Sequence, residues 1–201
     1  MNLLFLLALI ALAAYLLKSR DQKQRIALLA SHLGQYQIES LMASLTEGYL
    51  RALGEKDPER SAQIWSMLET TEVTLSEQFN RFAAEFAKVD AVQARVSRLP
   101  LALPYANTLF PVATFDLRQA LKVHAQGIAQ AASNRLAQTR RDQAFTMSAE
   151  LFLMQHTCHW FCRSKAVASA RMLALHKTPY AQLVASVAPA TRQAYTAVVE
   201  G

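Results

Sequence analysis

Glu150 to Arg163 reads ELFLMQHTCHWFCR, and the seven residues from His156 to Cys162 contain two histidines and the only two cysteines of the chain. Thiolate and neutral imidazole are the ligands zinc favours, so the cluster has to be weighed as a metal site. On a helix advancing about 100° per residue, with His156 at zero, Cys158 falls near 200°, Cys162 near 240° and His159 near 300°. One zinc ion on an intact helix therefore reaches Cys158, Cys162 and His159. His156, roughly 160° from Cys158, is the least suited of the four. The site would need completion by His32, His124 or His176, by water, or by the same helix of a second copy.

The same wheel carries a simpler reading. Phe145, Ala149, Phe152, His156, Trp160 and Val167 form one apolar stripe, and Met147, Leu151, Met154, Cys158, Phe161 and Met172 form another on the far side. A segment apolar on two faces is the central helix of a bundle. A buried free cysteine packs as a small hydrophobe, and His156 then needs only one hydrogen-bond partner. A redox pair is disfavoured, because a disulfide between i and i+4 on a helix has poor geometry. The spacing is also neither CxxC nor CxxCH.

Other chemistry is missing. The sequence has no glycine-rich phosphate loop, no HExxH, no serine elbow and no Glu-x-x-His, so no catalytic constellation recommends an enzyme. Carboxylates are scarce after residue 100: Asp116, Asp142, Glu150 and Glu200. Glu150 lies inside the apolar run. It is expected to be solvated, or to pair with Arg163, Lys165 or a residue on another helix.

The elements that would position these groups are helices. Hydrophobic residues make up 52% of the 201, glycine and proline are few, and period-2 runs of β-branched residues are absent. This excludes a disordered body and predicts an all-α fold, an antiparallel bundle of long amphipathic helices behind an N-terminal transmembrane helix. The first cytoplasmic helix is expected over about 21–53, with Gly34, Leu41 and Gly48 recurring every seven residues and a stop at Gly54 to Pro58. A second, over 58–98, places Leu68, Leu75, Phe79, Phe82, Phe86, Val89 and Val96 on one stripe. Glu72 and Gln93 interrupt that stripe. The short connection makes the two helices a hairpin. Residues 99–113, with three prolines, read as an apolar linker lying across the bundle or touching the membrane surface, after which Thr114 is placed to cap a helix. Helical character then runs over 114–176, with breaks expected at Ser133-Asn134 or at Thr139 to Asp142. Short helices follow over 179–199, opened by Pro179 and Pro189.

The compartment is set by the first seventeen residues, MNLLFLLALIALAAYLL, which carry no charge. As a helix they cover roughly 26 Å, the short end of what spans a bilayer. A cleaved signal peptide would want a basic stretch before Leu3, and a core helix would show a polar face. A membrane anchor over 1–17 fits best, with the lipid bilayer as its partner. Lys18, Arg20, Lys23 and Arg25 follow it, so the positive-inside rule leaves the N-terminus out and residues 18–201 in the cytoplasm, where thiols stay reduced.

The net charge of +6 is concentrated after Ala113, where ten basic residues face four acidic ones. A solvated basic face accounts for this. Contact with anionic lipid head groups is the sharper reading, and nucleic acid is disfavoured because no reading motif accompanies the charge. The sequence thus points to a scaffold, adaptor or assembly protein at the cytoplasmic face of a bacterial plasma membrane, acting through a protein partner or a second copy. A metal-binding or thiol-based sensor built on Cys158, His159 and Cys162 is the alternative.

Overall fold

The computed structural model describes residues 3–100 and 103–201. It is all-α, with one long apolar N-terminal helix. Helix α1 (Leu3–Leu33) runs without interruption from the apolar segment into the body. Its residues 3–17 are exposed throughout, whereas Leu29 is buried. The helix ends at Gly34, so the single helix expected over 21–53 is two. Tyr36 N donates to Leu33 O, and the Gln37 amide is held by Gln78 Oε1 at 2.7 Å before α2 (Ile38–Gly54) begins. Gly34 thus ends a helix and does not line a seam. Gly48 does line one, because a Cβ there would collide with the side chain of Leu68.

Asp57 caps α3 (Pro58–Phe86), accepting from Glu59 N at 2.9 Å, with Pro58 at the first turn. Asp caps and first-turn prolines are the local code for a helix start. The stripe along α3 is core: Leu75, Phe79, Phe82 and Phe86 are fully buried, with successive phenylalanine centroids 5.5 and 5.9 Å apart. The helix stops at Phe86, twelve residues short of the expected Arg98. The Asp90 carboxylate accepts from the amides of Val92 and Gln93, turning the chain, as Asp side chains do when they compete with helical bonding.

The chain then enters β1 (Arg95–Ser97), which pairs antiparallel with β2 (Thr114–Asp116), Val96 opposite Phe115. Between them lie the short helix α4 (Ala106–Leu109) and a 3-10 turn over Pro111–Ala113. The linker expected over 99–113 is therefore, in its described residues, the tip of a small β-hairpin, and residues 101 and 102 lie outside the described residues. Thr114 is a strand residue whose hydroxyl donates to Pro111 O. The helix cap is Asp116, which accepts from Arg118 N and pairs with the Arg118 guanidinium at 2.7 Å.

The region 114–176 divides at both expected places, which are the two ends of one loop, and at a third. Helix α5 (Leu117–Ala132) is followed by a loop in which Asn134 and Ala137 have positive φ, and the Asn134 side chain exchanges two hydrogen bonds with the Gln138 backbone. Thr139 caps α6 (Arg140–Cys162). The unexpected break follows at Arg163, and Ser164 caps α7 (Lys165–His176). Helices α8 (Tyr180–Ser186) and α9 (Pro189–Glu200) complete the chain. Helix α6 lies at the centre, against α1, α2, α5, α7 and α8, while α5 packs on α3 and α9.

Candidate functional site

The central position of α6 explains its two apolar faces. Met147, Leu151, Met154, Phe161 and Met172 are buried, as are Ala149, His156 and Trp160. Four members of the expected stripes are not: Phe145 and Val167 are 56% and 50% exposed, and Phe152 and Cys158 are half-buried. Phe145 lies in the second turn of α6, with the Arg141 guanidinium 5.8 Å over its ring. Val167 falls on α7, where the break at Arg163 resets the wheel.

Cys158, His159 and Cys162 line one groove between α1, α2 and α6, with Met42 and Met154 beside them and a volume of about 310 Å³. Cys158 Sγ lies 3.9 Å from Met154 Sδ. Burial pushes the Cys158 thiol well above its ordinary range, with the neighbouring Cys162 adding to the effect. Burial also pushes Cys162 up to about 11, against the opposing charges of Arg163 and Arg25. Both sulfurs are therefore protonated thiols at neutral pH, poor nucleophiles and poor ligands until a metal displaces the proton.

The other imidazoles are engaged elsewhere. His156 faces the opposite side of α6, its Nε2 3.0 Å from Ser169 Oγ and its ring stacked on Tyr180 at 4.5 Å. Burial, then the Lys165 charge, pushes it down to about 4. His124 is fully buried, 2.9 Å from Thr157 Oγ1, which is 3.2 Å from Tyr195 OH, and burial pushes it down to about 3. His32 contacts Leu28 O and Phe86, and His176 stacks on Phe152. None of these four joins the cysteines. Among the described residues no group of three or more His, Cys, Asp or Glu is placed to hold a metal ion.

Two buried carboxylates complete the polar interior. Glu150 is neither solvated nor paired with Arg163 or Lys165. It is completely buried, and its Oε1 accepts from Ala188 N at 3.0 Å. Oε2 lies beside Thr191 but makes no well-formed hydrogen bond. Burial pushes this carboxyl up to about 7, against Thr191 and Ala188. Gly127 of α5 makes the space, because a Cβ there would meet Glu150 Oε2 and Thr191 Oγ1. A glycine inside an alanine-rich helix costs up to about 1 kcal/mol, so HAQGIAQAA already marked a close approach.

Glu72, read from the sequence as an interruption of the α3 stripe, is a junction. It accepts from Tyr49 OH at 2.7 Å and from Gln143 Nε2 at 3.2 Å, and pairs with Arg140 at 3.4 Å. Arg140 also donates to Trp65 O and lies 5.4 Å over the Trp65 ring. Side chains from α2, α3 and α6 meet there. Burial raises the Glu72 carboxyl, opposed by Tyr49 and Arg140. Glu72 and Glu150 thus stitch helices together inside the body and present no reacting group to solvent.

No protein-family model matches the chain, and it shows no significant similarity to a curated protein or to a solved structure.

Proposed function

We propose that this chain is a single-pass membrane protein whose helical body is held against the cytoplasmic face of a bacterial plasma membrane and works as a scaffold or adaptor. The carrying observation is the course of α1. Residues 3–17 are exposed throughout, and the same helix then enters the core. Past the apolar run it is clamped: Arg25 donates to Arg95 O at 2.9 Å, pairs with Asp21, and lies 5.3 Å over Phe161, while Arg163 donates to Gln22 Oε1 at 2.7 Å. An anchor joined through a continuous helix fixes the body's orientation, as a flexible tether would not.

The β-hairpin tip supports the same posture. Leu99 and Leu103 share a cavity with Lys18 and Arg25, which puts the tip at the end of the body where the anchor leaves it. There Leu109, Phe110 and Val112 are 66%, 46% and 90% exposed. Exposed apolar groups of this kind suit an interfacial layer. The α2–α3 hairpin exposes Leu50 and Met67, apolar groups available to a protein partner.

Alkaline carbonate extraction tests the anchor. The chain should stay in the membrane pellet with Met1 or Asn2 as its first residue. A soluble chain shortened within the apolar run would make that run a signal sequence. Cross-linking of the full chain in its membrane should give a discrete adduct of higher mass. A monomer alone would overturn the scaffold reading.

A further inference from the structure

Where α1 emerges from its apolar run, the body forms a cleft of about 510 Å³ lined by Tyr15, Lys18, Gln22, His159, Arg163 and Arg171. We propose that this cleft binds the phosphate of an anionic phospholipid headgroup, which rests on the membrane-anchored reading above.

Its charge is one-sided. Three basic side chains line the cleft and no carboxylate does. Lys18, Arg163 and Arg171 take part in none of the ion pairs among the described residues. The break at Arg163 shapes the site, because the turn from α6 into α7 brings Arg171 to the same cleft as Lys18 of α1. Gln22 holds the Arg163 guanidinium at 2.7 Å, fixing one donor group. His159 also lines the cleft, but its Nε2 is closed off from solvent, so the donors offered to a phosphate are Lys18, Arg163 and Arg171. Burial, and then the Arg171 charge, disfavour a positive charge on His159, so the charge of the cleft is carried by Lys18, Arg163 and Arg171.

The location selects a lipid over a soluble anion. Lys18 is the first charged residue after the apolar run, and Tyr15, 66% exposed, sits at its end. Aromatic rings and basic side chains gather at this depth of a membrane. From Tyr15 to Gln22 the helix rises roughly 10 Å, about the depth of one headgroup layer. Basic pockets beside a spanning helix on the cytoplasmic side are a recurrent solution for anionic head groups.

The test uses the full chain in mixed detergent–lipid micelles, with lipids retained on the protein counted by native mass spectrometry. Phosphatidylglycerol should be retained in preference to phosphatidylcholine. Arg163→Gln with Arg171→Gln should cut that preference roughly tenfold or more, whereas Arg171→Lys should keep most of it. Lys122→Gln with Arg135→Gln removes the same charge from exposed positions on other parts of the body and should leave it unchanged. An equal loss in both double variants would reduce the effect to net charge and overturn the site. So would retention of both lipids alike by the native chain. Inorganic phosphate is the second arm: if it saturates the cleft and displaces phosphatidylglycerol at equal concentration, the ligand is a soluble anion and the lipid assignment falls. A thermal transition unchanged in the variants excludes misfolding. If carbonate releases the chain from membranes, the anchor reading has failed. A chain that stays membrane-bound but shows no lipid preference refutes the cleft alone.

Discussion

Glu150 keeps one carboxylate oxygen without a well-formed partner in the centre of the body, and this makes stability depend on pH. Its folded value, about 7, lies above the ordinary 4.5, so the native state binds the proton more tightly than the unfolded chain. Its contribution is full below the unfolded value and is lost as pH rises through about 7, amounting to at most ~3 kcal/mol. His124 and His156 act in the opposite sense. Their folded values, about 3 and about 4, lie below the unfolded value, so their contribution is present above roughly 6.5 and is lost as pH falls. Glu150→Gln keeps the acceptor for Ala188 N and removes the charge. Urea titrations should find the variant more stable than wild type near pH 8, with that advantage shrinking toward about pH 5. An equal difference at both values would mean that Glu150 does not titrate between them. The cysteines belong to the same scale. Raised thiols should react slowly with thiol reagents in the native protein and quickly after unfolding. Replacing both by Ala should cost about 1–3 kcal/mol in total, with no dependence on chelators. Stoichiometric zinc that survives dialysis and disappears with the cysteines would establish the metal site.

Among the elements, α3 supplies the main aromatic contact. Phe82 is completely buried and touches Phe79 and Phe86 through its ring, with Tyr36 edge-on at 6.2 Å. Phe82→Ala should lower unfolding free energy by about 3–5 kcal/mol, measured by denaturant titration. A loss below roughly 1 kcal/mol would mean that neighbouring rings close the cavity or that the stripe is not core. The stripe was readable because Leu68, Leu75, Phe79, Phe82 and Phe86 recur at helical spacing, while Val89 and Val96, expected on the same stripe, lie beyond the helix end. The end of α3 was not, because no Gly or Pro marks it, the Asp90 side chain turns the chain only after the helix has ended, and a three-residue strand such as β1 is too short to show a period.

At the scale of the molecule, α1 joins the apolar N-terminal segment to the core in one rod, so the direction in which that segment leaves the body is fixed by the body itself. Lys18, Arg20, Lys23 and Arg25 follow the apolar run, and none of the residues before Lys18 is charged. A C-terminal fusion to a phosphatase active only in the periplasm should therefore be silent, and the same fusion to a cytoplasmic reporter should be active. Strong phosphatase activity would reverse the topology and, with it, the expectation of reduced thiols.

By itself the sequence determined the helical class, the apolar N-terminal segment, the aromatic stripe of α3 and the starts marked by Asp57, Pro58 and Pro189. These rest on periodicity and capping, which act within a few residues. It also put His156 on the opposite side of α6 from Cys158, which is where the ring lies. Tertiary structure alone decided the rest. Glu150 reads as a surface carboxylate until Gly127 and Thr191 close around it, and Glu72 as an interruption until Tyr49, Arg140 and Gln143 arrive from other helices. Lys18, Arg163 and Arg171 are more than 140 residues apart at the extremes and form one cleft only because α6 breaks at Arg163 beside α1. Spacing along a chain encodes which residues share a face. Which faces meet is settled by packing, and the environment that shifts a proton or gathers like charges exists only after they have met.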